Sequence, residues 1–138
     1  MYIVLRNNLA LALLTIALLP SLADAATLRI VPSTATIAAG ETLSVSVSIS
    51  SSDQAMNATE GVITFPADLL QVVSLSKSGS ILGLWVQEPT FSNTAGTINF
   101  EGIALNPGFK GSAGTVLSVT FRARAEGNAA LAITGGSV

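Results

Sequence analysis

Residues 43–50 read Leu-Ser-Val-Ser-Val-Ser-Ile-Ser, every odd position aliphatic and every even one serine. Side chains of a β-strand point alternately to its two faces, so this period of two describes a strand with one buried and one wetted face, and no helix accommodates it. The same periodicity predicts strands at 27–31, 60–65, 70–76, 82–87, 97–105, 115–125 and 129–134. Between them lie turn-forming stretches: Ala39-Gly40, Ser51-Ser52-Asp53, Pro66-Ala67-Asp68, Ser78-Gly79, Asn93-Thr94-Ala95-Gly96, Asn106-Pro107-Gly108 and Glu126-Gly127-Asn128. Pro32, Pro66, Pro89 and Pro107 are placed at strand ends, where a missing ladder donor does little harm. No amphipathic pattern supports a helix of three turns; 67–71 has room for one short turn. Short strands with a turn every 8 to 12 residues or so predict an antiparallel sandwich or barrel.

With 138 residues the chain has room for one ordinary domain. Six Lys+Arg against eight Asp+Glu, a net charge of −2 and only 10% charged residues give no footprint for nucleic acid. Cys and His are both absent, which removes disulfides, thiol catalysis, the usual zinc ligand sets and every imidazole triad. Apolar residues make up 49% and aromatics 5%, so the core is aliphatic and Ser, Thr, Asn and Gly cover much of the surface. That is the composition of a binding or structural module.

The N-terminus is read apart from the fold. Arg6 precedes an apolar run at 9–19 broken only by Thr15, and Ala23-Asp24-Ala25 then supplies an A-x-A cleavage signal. A transmembrane helix needs about 20 apolar residues, and this run ends at Pro20. Residues 1–25 are therefore predicted to be a secretory signal peptide, leaving a secreted domain at 26–138. An exported domain without cysteine is held by its core alone, for which about 110 residues suffice.

Patterns that carry chemistry are few. No serine lies in a G-x-S-x-G context. Gly111-Ser112-Ala113-Gly114 lacks the lysine and following helix of a phosphate loop and is read as a loop between strands. Asp53 and Asp68 are isolated, not set at the alternating spacing of an EF-hand loop, which leaves the involvement of calcium open. Asn57-Ala58-Thr59 fits a glycosylation sequon, which carries weight only in an organism that modifies such sites. The chain is read as no enzyme, with no cofactor and no metal.

A longer succession carries a resemblance. Residues 57–70 (Asn-Ala-Thr-Glu-Gly-Val-Ile-Thr-Phe-Pro-Ala-Asp-Leu-Leu), 80–86 (Ser-Ile-Leu-Gly-Leu-Trp-Val), 96–102 (Gly-Thr-Ile-Asn-Phe-Glu-Gly) and 106–121 (Asn-Pro-Gly-Phe-Lys-Gly-Ser-Ala-Gly-Thr-Val-Leu-Ser-Val-Thr-Phe) follow one another in the order and spacing of a cohesin domain. The chain resembles cohesins over almost all of 26–138. The resemblance implies an all-β, nine-stranded jelly-roll antiparallel sandwich. It also implies a non-enzymatic extracellular module that binds a dockerin-type partner in surface or secreted assemblies linked to polysaccharide catabolism. Two features depart from it: Phe65-Pro66 stands where an Asp-Pro often closes the third strand, and the sequence reaches Gly135-Gly136-Ser137-Val138 where a cohesin continues, so the domain is expected to be truncated at its C-terminal end.

In cohesins the outer face of strands eight, three, six and five meets the dockerin, and parity assigns residues to it. With Ile63 and Phe65 inward, Glu60, Val62 and Thr64 point outward on the third strand; with Ile98 and Phe100 inward, Thr97, Asn99, Glu101 and Ile103 point outward on the sixth. On 115–125, taken as the eighth, Leu117, Val119 and Phe121 go inward and Val116, Ser118, Thr120, Arg122 and Arg124 outward. The fifth strand is ambiguous: Trp85 and Gln87 join the face if Leu82, Leu84 and Val86 line the core. The partner-binding candidates are therefore Glu60, Val62, Thr64, Trp85, Gln87, Asn99, Glu101, Thr120 and Arg122.

Glu60 and Glu101 then share a face, and paired carboxylates serve glycoside hydrolysis, but two acids on a flat sheet are ordinary solvated charges. Carbohydrate binding is the rival reading, weakened because only Trp85 is left to form a sugar platform once Tyr2 is removed with the signal peptide. A structural adhesin or stalk domain is the third.

Overall fold

The computed structural model describes residues 25–138, so the predicted signal peptide, save Ala25, lies outside the described residues. Ten strands follow in order: β1 (Thr27–Val31), β2 (Thr34–Ile37), β3 (Thr42–Met56), β4 (Ala58–Thr64), β5 (Leu70–Ser76), β6 (Leu84–Ser92), β7 (Thr97–Ile103), β8 (Phe109–Ala123), β9 (Gly127–Ala130) and β10 (Ala132–Ser137). They form two four-stranded sheets, β1-β3-β8-β5 and β10-β4-β7-β6, and a two-stranded ribbon, β2-β9. Every pairing is antiparallel, and no helix occurs among the described residues, so the domain is the expected jelly-roll sandwich with about one strand more than predicted.

The core fills the space between the sheets. Val45, Val47 and Ile49 of β3 meet Leu117, Val119 and Phe121 of β8 on one side; Ile63 of β4 and Ile98 and Phe100 of β7 supply the other. Phe65, just past β4, crosses over to Phe121, their rings edge to face at 5.2 Å. Phe100 and Phe121 are both fully buried, as parity requires, and belong to opposite sheets.

Several local expectations give way to tertiary context. The stretch 51–53 is no turn: β3 runs on to Met56, with register shifts against β8 absorbing the surplus residues. Gly111-Ser112-Ala113-Gly114 is no loop but part of β8, where Gly111 and Gly114 leave room for the Phe109 ring; a Cβ on Gly114 would come within 2.6 Å of it. Pro89 lies inside β6, not at its end, between the paired residues Gln87 and Thr90 where the register shifts. β6 has no neighbour on its other side, so a proline costs no ladder bond there. The predicted strand 129–134 is split at Leu131 between β9 and β10, and β2 was not predicted at all.

The serine face of β3 is only partly wet. Ser44 is exposed, but Ser48 is buried, because Arg29 on β1 donates to the Ser112 carbonyl on β8 at 3.3 Å and so crosses over β3, which lies between them.

Candidate functional site

The register of β10-β4-β7-β6 decides which predicted site residues meet. Its outer face is organised in rows across the strands. Ala58, Ile103 and Leu84 form the first; Ser137, Glu60, Glu101 and Gln87 the second; Gly135, Val62, Asn99 and Thr90 the third; Ala132, Thr64, Thr97 and Ser92 the fourth. Six of the nine candidates, Glu60, Val62, Thr64, Gln87, Asn99 and Glu101, therefore share one face.

The other three do not. Thr120 and Arg122 lie on β8, and β8 is a central strand of the opposite sheet, so they project from the far side of the sandwich. Parity gives a side chain's face but not the sheet to which its strand belongs. The fourth strand of the candidate face is β10 instead, pinned to β4 by side-chain hydroxyls: Thr59 Oγ1 donates to the Ser137 carbonyl at 2.9 Å and Thr64 Oγ1 to the Ala132 carbonyl at 3.4 Å. Val116, expected outward on the same strand, is fully buried beside Leu117, because the register shift between Val47 and Ser48 of β3 puts both inside.

Trp85 is the third correction. It pairs with Gly102 on the inner side and packs against the core, with Lys77 Nζ over its ring at 5.6 Å from the centroid and bound to Glu88 at 2.6 Å. Of the residues assumed to line the core, Leu82 does, but Leu84 and Val86 are 51% and 57% exposed. A register shift after Trp85 returns Gln87 to the outer face opposite Glu101.

Sequence reasoning placed Ile103 outward but missed Leu84 and Leu105, which make an apolar end of this face. Leu84 stands beside half-buried Ile103, and Leu105, 59% exposed, lies against the backbone of Gly83, where a Cβ would meet its Cδ1 at 2.6 Å. Gly83 marked the place where the alternation of the fifth strand restarts. One row along, Glu60 and Glu101 face each other as register partners, and Ser137 Oγ donates to Glu60 Oε1 at 3.1 Å. With Val62, Gln87, Asn99, Gly135 and Gly136 they border a shallow depression of about 230 Å³. Gly61 forms part of its floor, and the Phe100 ring beneath fills the space a side chain would take, 2.6 Å from an ideal Cβ.

The charges are sorted by sheet. The strands of β10-β4-β7-β6 carry Glu60, Glu88 and Glu101 and no Lys or Arg, whereas those of β1-β3-β8-β5 carry Arg29, Lys110 and Arg122 with Asp53. Among the described residues no group of three or more acidic side chains is placed to hold a metal ion, and no helix is long and apolar enough to cross a membrane.

No family model matches the chain, and no curated protein matches it. Solved structures do. A type II cohesin domain from the cellulosome of Acetivibrio cellulolyticus superposes with a TM-score of 0.64 at 18% identity, over 81% of this chain and 76% of that one. A type I cohesin–dockerin complex from Clostridium thermocellum gives 0.64 at 14% identity, over 83% and 84%. A non-cellulosomal cohesin from the archaeon Archaeoglobus fulgidus gives 0.57 at 20% identity, over 80% and 78%. The chain has the cohesin fold.

Proposed function

We propose that this chain is a secreted, non-catalytic module that binds a dockerin-type partner through the outer face of β10-β4-β7-β6, in surface or secreted assemblies linked to polysaccharide breakdown. The observation that carries this reading is the make-up of that face: an exposed apolar end at Leu84, Ile103 and Leu105 beside a polar, acidic field at Glu60, Glu101, Gln87 and Asn99. An apolar centre with a polar border is the usual anatomy of a protein interface. Similar cohesin folds have been solved in complex with dockerins from Acetivibrio cellulolyticus and Clostridium thermocellum. Sugar binding has less support, because Trp85 is turned to the core and the face offers no row of aromatic rings.

Calorimetry against the dockerin-type modules encoded in the same genome tests the reading. Saturable binding by at least one, weakened by Leu84→Ala, is the expected result. Binding to none of them, together with retention on insoluble polysaccharide, overturns it.

A further inference from the structure

We infer that Lys77 is a positioning residue: reaching across from the opposite sheet, it holds β6 in one of two registers and so sets which of its side chains the proposed face presents. For the partner this rests on the dockerin-binding reading; for the strand it stands by itself. Three observations carry it.

The first is a register shift that a one-residue slip removes. Leu84 pairs with Ile103, Trp85 with Gly102 and Gln87 with Glu101, which leaves Val86 as a surplus residue. With Gln87 kept opposite Glu101, regular alternation puts Val86 opposite Gly102, Trp85 opposite Ile103 and Leu84 opposite Ala104. Trp85 then stands on the outer face, while Leu84 and Val86 turn inward. β6 pairs along one edge only, so no second neighbour blocks the slip.

The second is the balance of burial. The observed register packs Trp85 against the core and leaves Leu84 and Val86 more than half exposed. The slipped one exposes one large ring and buries two aliphatic side chains, a close exchange of apolar area. Contacts open to one register alone therefore select it.

The third is that Lys77 makes such contacts on both sides of the surplus residue. It directly follows β5, in the sheet opposite the face. Its Nζ lies 5.6 Å from the centroid of the Trp85 ring and 2.6 Å from Glu88 Oε2, so it staples β6 across Val86. The ion pair is exposed and worth little alone, but it keeps the ammonium over a ring that only the observed register turns inward. Lys77 stands in none of the rows of the outer face, yet it decides that they hold Leu84 and not Trp85.

The test uses residues 26–138 and the fluorescence of Trp85, the single tryptophan of the chain. Lys77→Ala and Lys77→Gln are expected to shift the emission of the folded domain to longer wavelength and to raise its quenching by acrylamide. Lys77→Arg, which keeps a cation for ring and carboxylate, should restore the parent spectrum. Slip is told from simple uncovering of the ring by Leu84→Cys, the only thiol in a chain without cysteine. It should react rapidly with a maleimide when Lys77 is present and slowly when combined with Lys77→Ala or Lys77→Gln. Against the dockerin-type module that binds best, those two variants should weaken binding about tenfold, and Lys77→Arg should leave it unchanged. Denaturant melts confirm folding; should Lys77→Ala not fold, Lys77→Gln decides on the same readouts. Spectra and thiol reactivity that do not move, or that arginine fails to restore, overturn the inference while the dockerin reading stands. A slip with unchanged affinity overturns the role of Lys77 in the face. If no dockerin binds the unaltered domain, the proposed function falls and the binding arm with it, while spectra and labelling still decide the register.

Discussion

The side chain of Asn93, in the turn between β6 and β7, pairs with the backbone of Val72 on β5 as a strand would. Val72 N–H donates to Asn93 Oδ1 at 2.7 Å, and Asn93 Nδ2 donates to the Val72 carbonyl at 3.2 Å. One amide thus ties the edge of one sheet to the end of the other and satisfies both backbone groups at a register shift of β5. Asn93→Ala orphans a buried N–H and should cost about 1 to 3 kcal/mol in denaturant unfolding. Asn93→Asp keeps the acceptor but loses the donor, and should recover only part of that.

Phe121 is fully buried and meets Phe65 edge to face, while Phe100 is equally buried on the other sheet. Phe100→Ala or Phe121→Ala should each cost about 3 to 5 kcal/mol. Ser44→Ala, exposed on β3, should stay within about 0.5 kcal/mol. Equal effects on the melts would mean the register is wrong.

Gly61 admits the Phe100 ring. A methyl group there forces the ring out of a filled core, so Gly61→Ala should destabilise by about 1 to 3 kcal/mol. Thermal melts check this, and Gly61→Ala combined with Phe100→Leu should regain part of the loss.

Neutralising one of two facing acids should stabilise the free domain. Glu101→Gln is expected to raise unfolding stability by about 0.2 to 1 kcal/mol at low salt. The gain should vanish at about 1 M salt, where the Debye length is about 3 Å.

Export should remove residues 1–25. N-terminal sequencing of the secreted protein is expected to begin at Ala26. An intact Met1 held in the membrane would identify the apolar run as an anchor instead.

Alternation made the inward and outward sides of β4 and β7 legible, and with them six of the nine candidate positions, because both strands pair over their whole length without a register shift. It failed on β8 for two physical reasons. A register shift places Val116 and Leu117 on the same side, which a strict period of two cannot express. The sheet joined by β8 is set by pairings with β3 and β5, from far along the chain, so Thr120 and Arg122 kept their outward direction but moved to the other side of the molecule. Trp85 misled for a related reason: β6 pairs along one edge only, and its two register shifts let Leu84 face water while the larger ring turns inward.

The sorting of charge between the sheets acts before any contact is made. With Arg29 and Arg122 behind and Glu60 and Glu101 in front, the domain has an electric axis running through its thickness. The field of a cationic partner would exert a torque on that axis and turn the acidic side toward it at about a Debye length. Fewer collisions would then be spent on the wrong side, and two glutamates of small individual worth would shorten the search for a bound orientation.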